Sequence, residues 1–122
     1  MRLRFIAPLA VLAALLVSSV AYGASATHQV TKPVTIRVSL GDYFIKFSKA
    51  SVKKGTTVIF KVHNGGSVQH NLDLVGYKRT PILAPGANAT LKVTFKKHAS
   101  IQAVCDVPRH IQLGMVSTFK VL

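Results

Sequence analysis

Residues 90–95 read TLKVTF, in which Leu91, Val93 and Phe95 alternate with polar or charged neighbours. Successive side chains of a β-strand point to opposite faces, so this alternation predicts a strand with one buried face. The same alternation recurs in three further segments. Their apolar positions are Val34, Ile36 and Val38 in the first, Tyr43, Ile45 and Phe47 in the second, and Val58, Phe60 and Val62 in the third. No helical apolar period of useful length accompanies them. The chain is therefore predicted to be all-β.

Turn-forming residues separate the alternating runs. They stand at Lys53-Lys54-Gly55, Asn64-Gly65-Gly66, Pro81 with Pro85-Gly86, and Lys96-Lys97-His98. Glycine, proline and asparagine at this spacing divide the chain into about seven or eight short strands. A Greek-key β-sandwich fits that number and spacing.

The first residues have the features of a secretory signal. Arg2 and Arg4 precede an apolar run over residues 5–20, and Ala24-Ser25-Ala26 offers a small-residue cleavage site. An uncleaved anchor is the alternative, but the run is shorter than the roughly 20 residues that span a bilayer. The sequence thus predicts a signal peptide over 1–26, a flexible leader over 27–33 and one domain over 34–122. The mature protein is expected to be exported, to the periplasm or the cell exterior.

The chain is strongly basic, with 16 lysines and arginines, three acidic residues and a net charge of +13. Arg2 and Arg4 account for two of these charges, so the mature part carries +11. Nucleic acid is not an expected partner, since the protein is exported and has no arginine-rich segment or aromatic stacking platform. Acidic protein partners and peripheral contact with an anionic membrane surface remain open, as does a role in solubility alone. A monomer is expected.

Cys105 is the only cysteine in the chain, so no internal disulfide can form. Free thiols need an explanation in an oxidising compartment. The thiol could be buried and inert, could pair with another chain, or could be held as a thiolate by a metal, and composition alone does not choose among these.

The neighbours of Cys105 favour the metal. Residues 103–115 read AVCDVPRHIQLGM, with four residues between Cys105 and His110 and four more before Met115. His70 lies upstream, on the strand face of Leu72 and Leu74, and is expected to point inward as Cys105 does. Two imidazoles, a thiolate and a distant thioether are the ligands of a type 1, or blue, copper site. One copper ion is therefore the expected cofactor, whereas His28, His63 and His98 are not expected to bind it.

Three segments carry a resemblance to a known family. They are GSVQHNLDL over 66–74, TPILAPGANATLKVTF over 80–95, and VCDVPRHIQLGMVSTFKV over 104–121. Together they resemble the cupredoxins, type 1 copper proteins of the plastocyanin and auracyanin kind, and the loop spacing is similar to that of auracyanin. The resemblance implies His70, Cys105 and His110 as equatorial ligands and Met115 as a weak axial ligand.

The resemblance also implies roles for residues around the ligands. Asn71 is expected to fix the loop and to hydrogen-bond toward the cysteine sulfur. His110 is expected to expose its edge for electron transfer, with an apolar docking patch formed by Val107, Pro108, Ile111 and Leu113. Arg109 departs from the family, because many relatives have glycine there, so the turn either uses ordinary dihedral angles or is strained. Ala103-Val104 also departs, since an aromatic residue is frequent before the cysteine.

These features predict a one-electron carrier that works between redox partners. Four protein ligands leave no open position for water or substrate, so an enzyme is not expected. Two alternatives stay open at this stage: a copper carrier or buffer that hands the ion on, and a copper-free β-sandwich used for binding.

Overall fold

The computed structural model describes residues 21–25 and 31–122. Within the described residues, eight strands form two four-stranded sheets, which confirms the predicted all-β sandwich. The strands are β1 (Val34–Gly41), β2 (Phe44–Phe47), β3 (Ser51–Val52), β4 (Thr57–Asn64), β5 (Asp73–Leu74), β6 (Asn88–Thr94), β7 (Ala99–Val104) and β8 (Val116–Val121). None of the residues described forms a helix long and apolar enough to cross a membrane. The predicted signal peptide and leader lie largely outside these residues and stay predictions.

The sheets have the strand orders β2-β1-β4-β6 and β3-β8-β7-β5. β1 runs parallel to β4, and β3 runs parallel to β8, whereas the other neighbours are antiparallel. In β1 and β4 the register sets Ile36 beside Phe60 and Val38 beside Val62. The alternating residues of both strands therefore cover one buried face.

Four phenylalanines form the centre of the core. Phe47, Phe60, Phe95 and Phe119 pack with ring centroids 5.2–6.2 Å apart. Burying a side chain of this size stabilises a fold by about 1.5–3 kcal/mol. These rings come from strands of both sheets and from the residue after β6, so they join the two layers of the sandwich.

Tyr43 departs from the sequence prediction. The alternation placed it on the buried face with Ile45 and Phe47, but β2 begins only at Phe44. Asp42 and Tyr43 instead form the two-residue turn between β1 and β2, and Tyr43 takes a left-handed φ of 73° with its side chain 38% exposed. Two-residue hairpin turns require such angles, and this one overrides the alternation.

Candidate metal centre

The loop after β4 carries His70 into the protein interior. The side chain of Asn64, at the end of β4, donates hydrogen bonds to the carbonyls of Val68 and Leu83, each at 2.9 Å. The His70 backbone pairs with that of Leu83 in both directions, at 3.1 and 2.8 Å. The sequence prediction placed Asn64 in a turn, whereas it is a buried polar residue at the end of β4. Its bonds hold the loop so that the His70 side chain is fully buried.

The loop between β7 and β8 carries the other candidate ligands. Cys105 directly follows β7, and its N–H donates to the Met115 carbonyl at 3.3 Å. The Met115 N–H in turn donates to the His110 carbonyl at 3.0 Å. These two bonds close residues 105–115 into a compact loop at the end of the sandwich.

Arg109 lies in this loop with a φ of 71°, in the left-handed region. Of the two alternatives that the sequence left open, the strained turn is therefore correct. A non-glycine residue in this region costs roughly 1–2 kcal/mol. The hydrogen bonds that close the loop hold the residue there.

Three donor atoms converge between the two loops. Nδ1 of His70 lies 3.1 Å from Nδ1 of His110, and Sγ of Cys105 lies 4.0 and 3.5 Å from these two nitrogens. The point equidistant from all three atoms is about 2.1 Å from each, close to the roughly 2.0–2.3 Å of zinc–imidazole and zinc–thiolate bonds. All three side chains are buried. The arrangement fits a single ion of the size of a first-row transition metal.

Asn71 contacts Cys105 through its backbone and the following residue through its side chain. Its N–H lies 3.4 Å from the Cys105 sulfur, to which it can donate. Its side-chain amide donates to the Asp106 carboxylate at 2.8 Å, and its amide oxygen accepts from the Asp106 N–H at 2.7 Å. The contact toward the sulfur, expected from the resemblance, is thus made by the backbone. The side chain joins the two ligand-bearing loops.

His110 is 7% exposed, so the expectation of an exposed ligand edge was wrong. The ring of Tyr43 stands edge-on to it, at 5.1 Å between centroids, and edge-on to His70 at 6.3 Å. Burial, together with the neighbouring His70, lowers the pKa of His110 from its ordinary value. The imidazole is therefore neutral at neutral pH, as a metal ligand must be.

Asp42 was not predicted to belong to the site. Its Oδ1 lies 2.9 Å from Nε2 of His70, and the carboxylate also accepts from the backbone N–H and the hydroxyl of Ser67. The Ser67 hydroxyl and then His70 lower the pKa of Asp42 to about 2. The carboxylate is consequently ionised at neutral pH. The scarcity of acids in this chain was the one signal in the sequence that could have drawn attention to it.

Met115 is fully buried beside the cluster and joined to its loop through the backbone. The two other histidines that the structure describes take no part: His63 is exposed and bonds to Asn88 at 2.8 Å, and His98 is exposed. His28 lies outside the described residues. The structure therefore brings together His70, Cys105 and His110, with Met115 in the same loop.

Comparison with solved structures identifies the fold. Reduced auracyanin from Roseiflexus castenholzii is similar with a TM-score of 0.61 and 18% identity, over 75% of this chain and 99% of that one. Auracyanin A, a "blue" copper protein from Chloroflexus aurantiacus, gives 0.60 and 20%, over 75% and 100%.

The periplasmic domain of cytochrome oxidase subunit II from Bradyrhizobium japonicum gives a TM-score of 0.62 and 13% identity, over 76% of this chain and 87% of that one. No family model and no curated protein matches the sequence. The likeness to solved structures confirms the predicted resemblance at the level of architecture: the chain has the cupredoxin fold, with its histidine–cysteine cluster at one end of the sandwich.

Proposed function

We propose that this protein is a type 1 copper protein that carries one electron at a time. The observation that carries the proposal is the triangle of two imidazole nitrogens and one sulfur, 3.1–4.0 Å apart and buried in a cupredoxin fold. Soft sulfur and imidazole nitrogen together suit copper in both of its common oxidation states. His70, Cys105 and His110 are the proposed equatorial ligands and Met115 the axial one.

Bound copper would supply the one-electron couple. The residues of the chain hold the donors in place, since both loops are tied to each other by Asn71 and Asp106. A rigid donor set keeps the rearrangement between oxidation states small. The Asn71 N–H near the sulfur stabilises the thiolate and so bears on the potential.

Tyr43 gives the site its cover. Its ring packs edge-on against both histidines, while Ile111 and Leu113 of the ligand loop are 46% and 55% exposed. We propose that electrons enter and leave on this side, past Tyr43, with the exposed apolar residues in contact with the partner. Val107 is only partly exposed and packs against the core, so it contributes less to this surface.

Electron transfer is preferred over copper delivery because the three ligands are buried. A carrier that hands its ion on needs a route to an incoming ligand, whereas here the histidines lie beneath Tyr43. The similar auracyanins, one of them studied in a reduced form and one described as a "blue" copper protein, support a redox-active copper site. The oxidase subunit domain, in contrast, is part of a larger complex. An exported location agrees with the periplasmic domain among the similar structures and with the predicted signal peptide.

Addition of Cu(II) to the metal-free protein is expected to produce an intense blue or green colour, with one copper bound per chain. The colour arises from charge transfer between the Cys105 thiolate and the metal. Visible absorption recorded during a titration measures both the intensity and the stoichiometry. A protein that stays colourless at saturating copper would refute the type 1 assignment.

We further propose an acidic partner for the basic surface. Arg37, Lys46, Lys61 and Lys92 are exposed on the outer face of the sheet β2-β1-β4-β6, and neither ion pair of the described residues involves them. Arg37 and Lys61 are direct neighbours across β1 and β4 and line a recess of about 370 Å³. Like charges at this spacing repel each other, so a negative partner surface would relieve them.

The charge of this surface is expected to control reaction rates with small redox reagents. Reduction of the copper-loaded protein by hexacyanoferrate(II), an anion, should slow as ionic strength rises from 0.01 to 1 M, because the screening length falls from about 30 to about 3 Å. Oxidation of the copper(I) protein by tris(phenanthroline)cobalt(III), a cation, should instead become faster as ionic strength rises, because screening weakens its repulsion from the basic surface. Stopped-flow absorption measures both rates. If neither rate depends on salt, the basic surface does not steer partners and serves solubility only.

A further inference from the structure

The turn between β1 and β2 places a carboxylate directly on a candidate ligand. Asp42 Oδ1 lies 2.9 Å from Nε2 of His70, the nitrogen on the far side of the ring from the cluster. His70 is fully buried, whereas the Asp42 side chain is 37% exposed. The two residues lie 28 positions apart in the sequence, so the contact depends on the fold.

The carboxylate determines which nitrogen of His70 carries the proton. An ionised carboxylate only accepts hydrogen bonds, so Nε2 must be the donor. The proton of a neutral imidazole then resides on Nε2, and Nδ1 keeps its lone pair. That lone pair faces Nδ1 of His110 at 3.1 Å and the sulfur of Cys105 at 4.0 Å.

Ser67 fixes the carboxylate in turn. Its N–H donates to both oxygens of Asp42, at 3.0 and 3.1 Å, and its hydroxyl donates to Oδ2. Ser67 belongs to the same loop that carries His70. Ser67 and His70, both in the loop after β4, thus hold the Asp42 carboxylate. It cannot rotate away without losing several hydrogen bonds.

From this geometry we infer that Asp42 is a positioning residue of the metal centre. It holds His70 with Nδ1 directed at the metal, and its negative charge favours the oxidised ion. The charge effect rests on the proposed function, whereas the effect on the His70 proton does not. Carboxylates that accept from the outer nitrogen of a ligating histidine fix its orientation and raise its basicity, and their loss typically costs about 10–100-fold in metal affinity.

Asp42→Ala and Asp42→Asn test this role, with Asp73→Asn as the matched control. Asp73 is also an aspartate, so its replacement by Asn makes the same chemical change. Among the described residues, it has no contact with either histidine of the site. In the metal-free protein, Asp42→Ala should redistribute the His70 proton between the two nitrogens, as read from ¹⁵N chemical shifts of the ring. In the copper form, it should lower Cu(II) affinity about 10–100-fold and raise the reduction potential.

Asp42→Asn separates charge from position. Its amide oxygen can still accept from Nε2, so the His70 proton should stay in place and the affinity should be closer to that of the parent, while the potential still rises. If both Asp42 variants match Asp73→Asn in ring shifts, affinity and potential, Asp42 has no positioning role. The ring shifts need no copper, so their result stands even if the type 1 assignment fails.

Discussion

Cys105→Ser is expected to abolish the intense visible absorption of the copper-loaded protein. A hydroxyl cannot replace the thiolate as a soft donor, and the absorption requires charge transfer from sulfur. The binding of Cu(II) should weaken as well, because two imidazoles alone are left on the trigonal side of the site. Absorption spectroscopy and a competition titration against a copper chelator measure the two effects.

Met115→Leu is the matched comparison for Cys105→Ser. Leucine has nearly the volume of methionine, so the core should lose less than about 1.5 kcal/mol of stability. The colour should persist, and the reduction potential should rise because the oxidised ion loses a weak electron-pair donor. Equal loss of colour in both variants would contradict the assigned roles of equatorial thiolate and axial thioether. Retained colour in Cys105→Ser would exclude the thiolate as a ligand.

The buried faces of the strands could be predicted from sequence because strand parity is a local property. Alternation in β1, β4 and β6 identified Ile36, Phe60 and Leu91 as inward residues, and all are buried. The same parity directed His70 and Cys105 inward, and both are fully buried. The positions of His70 and Cys105 within their predicted strands were therefore sufficient to predict that both side chains point into a metal site between the sheets.

The surroundings of the cluster could not be predicted, because they depend on loop geometry. Asp42 reaches His70 only through the hairpin turn after β1, and Tyr43 covers His110 only because that turn forces a left-handed φ. Alternation wrongly assigned Tyr43 to the buried strand face. The family resemblance likewise led to the wrong expectation that His110 is exposed. Tyr43, which covers His110, belongs to a turn that is distant in the sequence.

The acidic residues show how unevenly charge is distributed in this fold. Asp42 contacts His70, and Asp106 contacts Asn71. Burial, and then the charge of the nearby Asp106, raise the pKa of Asp73. These are the three acidic residues of the whole chain. Asp42 and Asp106 thus place negative charge beside residues of the candidate metal centre, while the outer sheet face is basic.

Gly66 lies where the carboxylate, the histidine and the loop meet. A Cβ at this position would clash with Oδ1 of Asp42 and would lie 2.8 Å from Nε2 of His70. Real Cβ atoms do not approach other atoms so closely, so the loop or the Asp42–His70 contact must shift. The neighbouring Gly65 is different, because a Cβ there would meet its nearest atoms at an ordinary 3.7 Å.

Gly66→Ala is therefore expected to disturb the site far more than Gly65→Ala. Overpacking of this kind costs typically about 1–3 kcal/mol of stability, and displacement of Asp42 from His70 should reduce Cu(II) affinity by about tenfold or more. Gly65→Ala should change the free energy of unfolding by no more than about 0.5 kcal/mol and leave copper affinity near that of the parent. Denaturant unfolding of the metal-free proteins and copper competition titrations measure the two quantities. If the two variants have the same stability and the same copper affinity, the loop that carries His70 adjusts to the added Cβ at little cost. The close approach of Gly66 to Asp42 and His70 then does not constrain the metal centre.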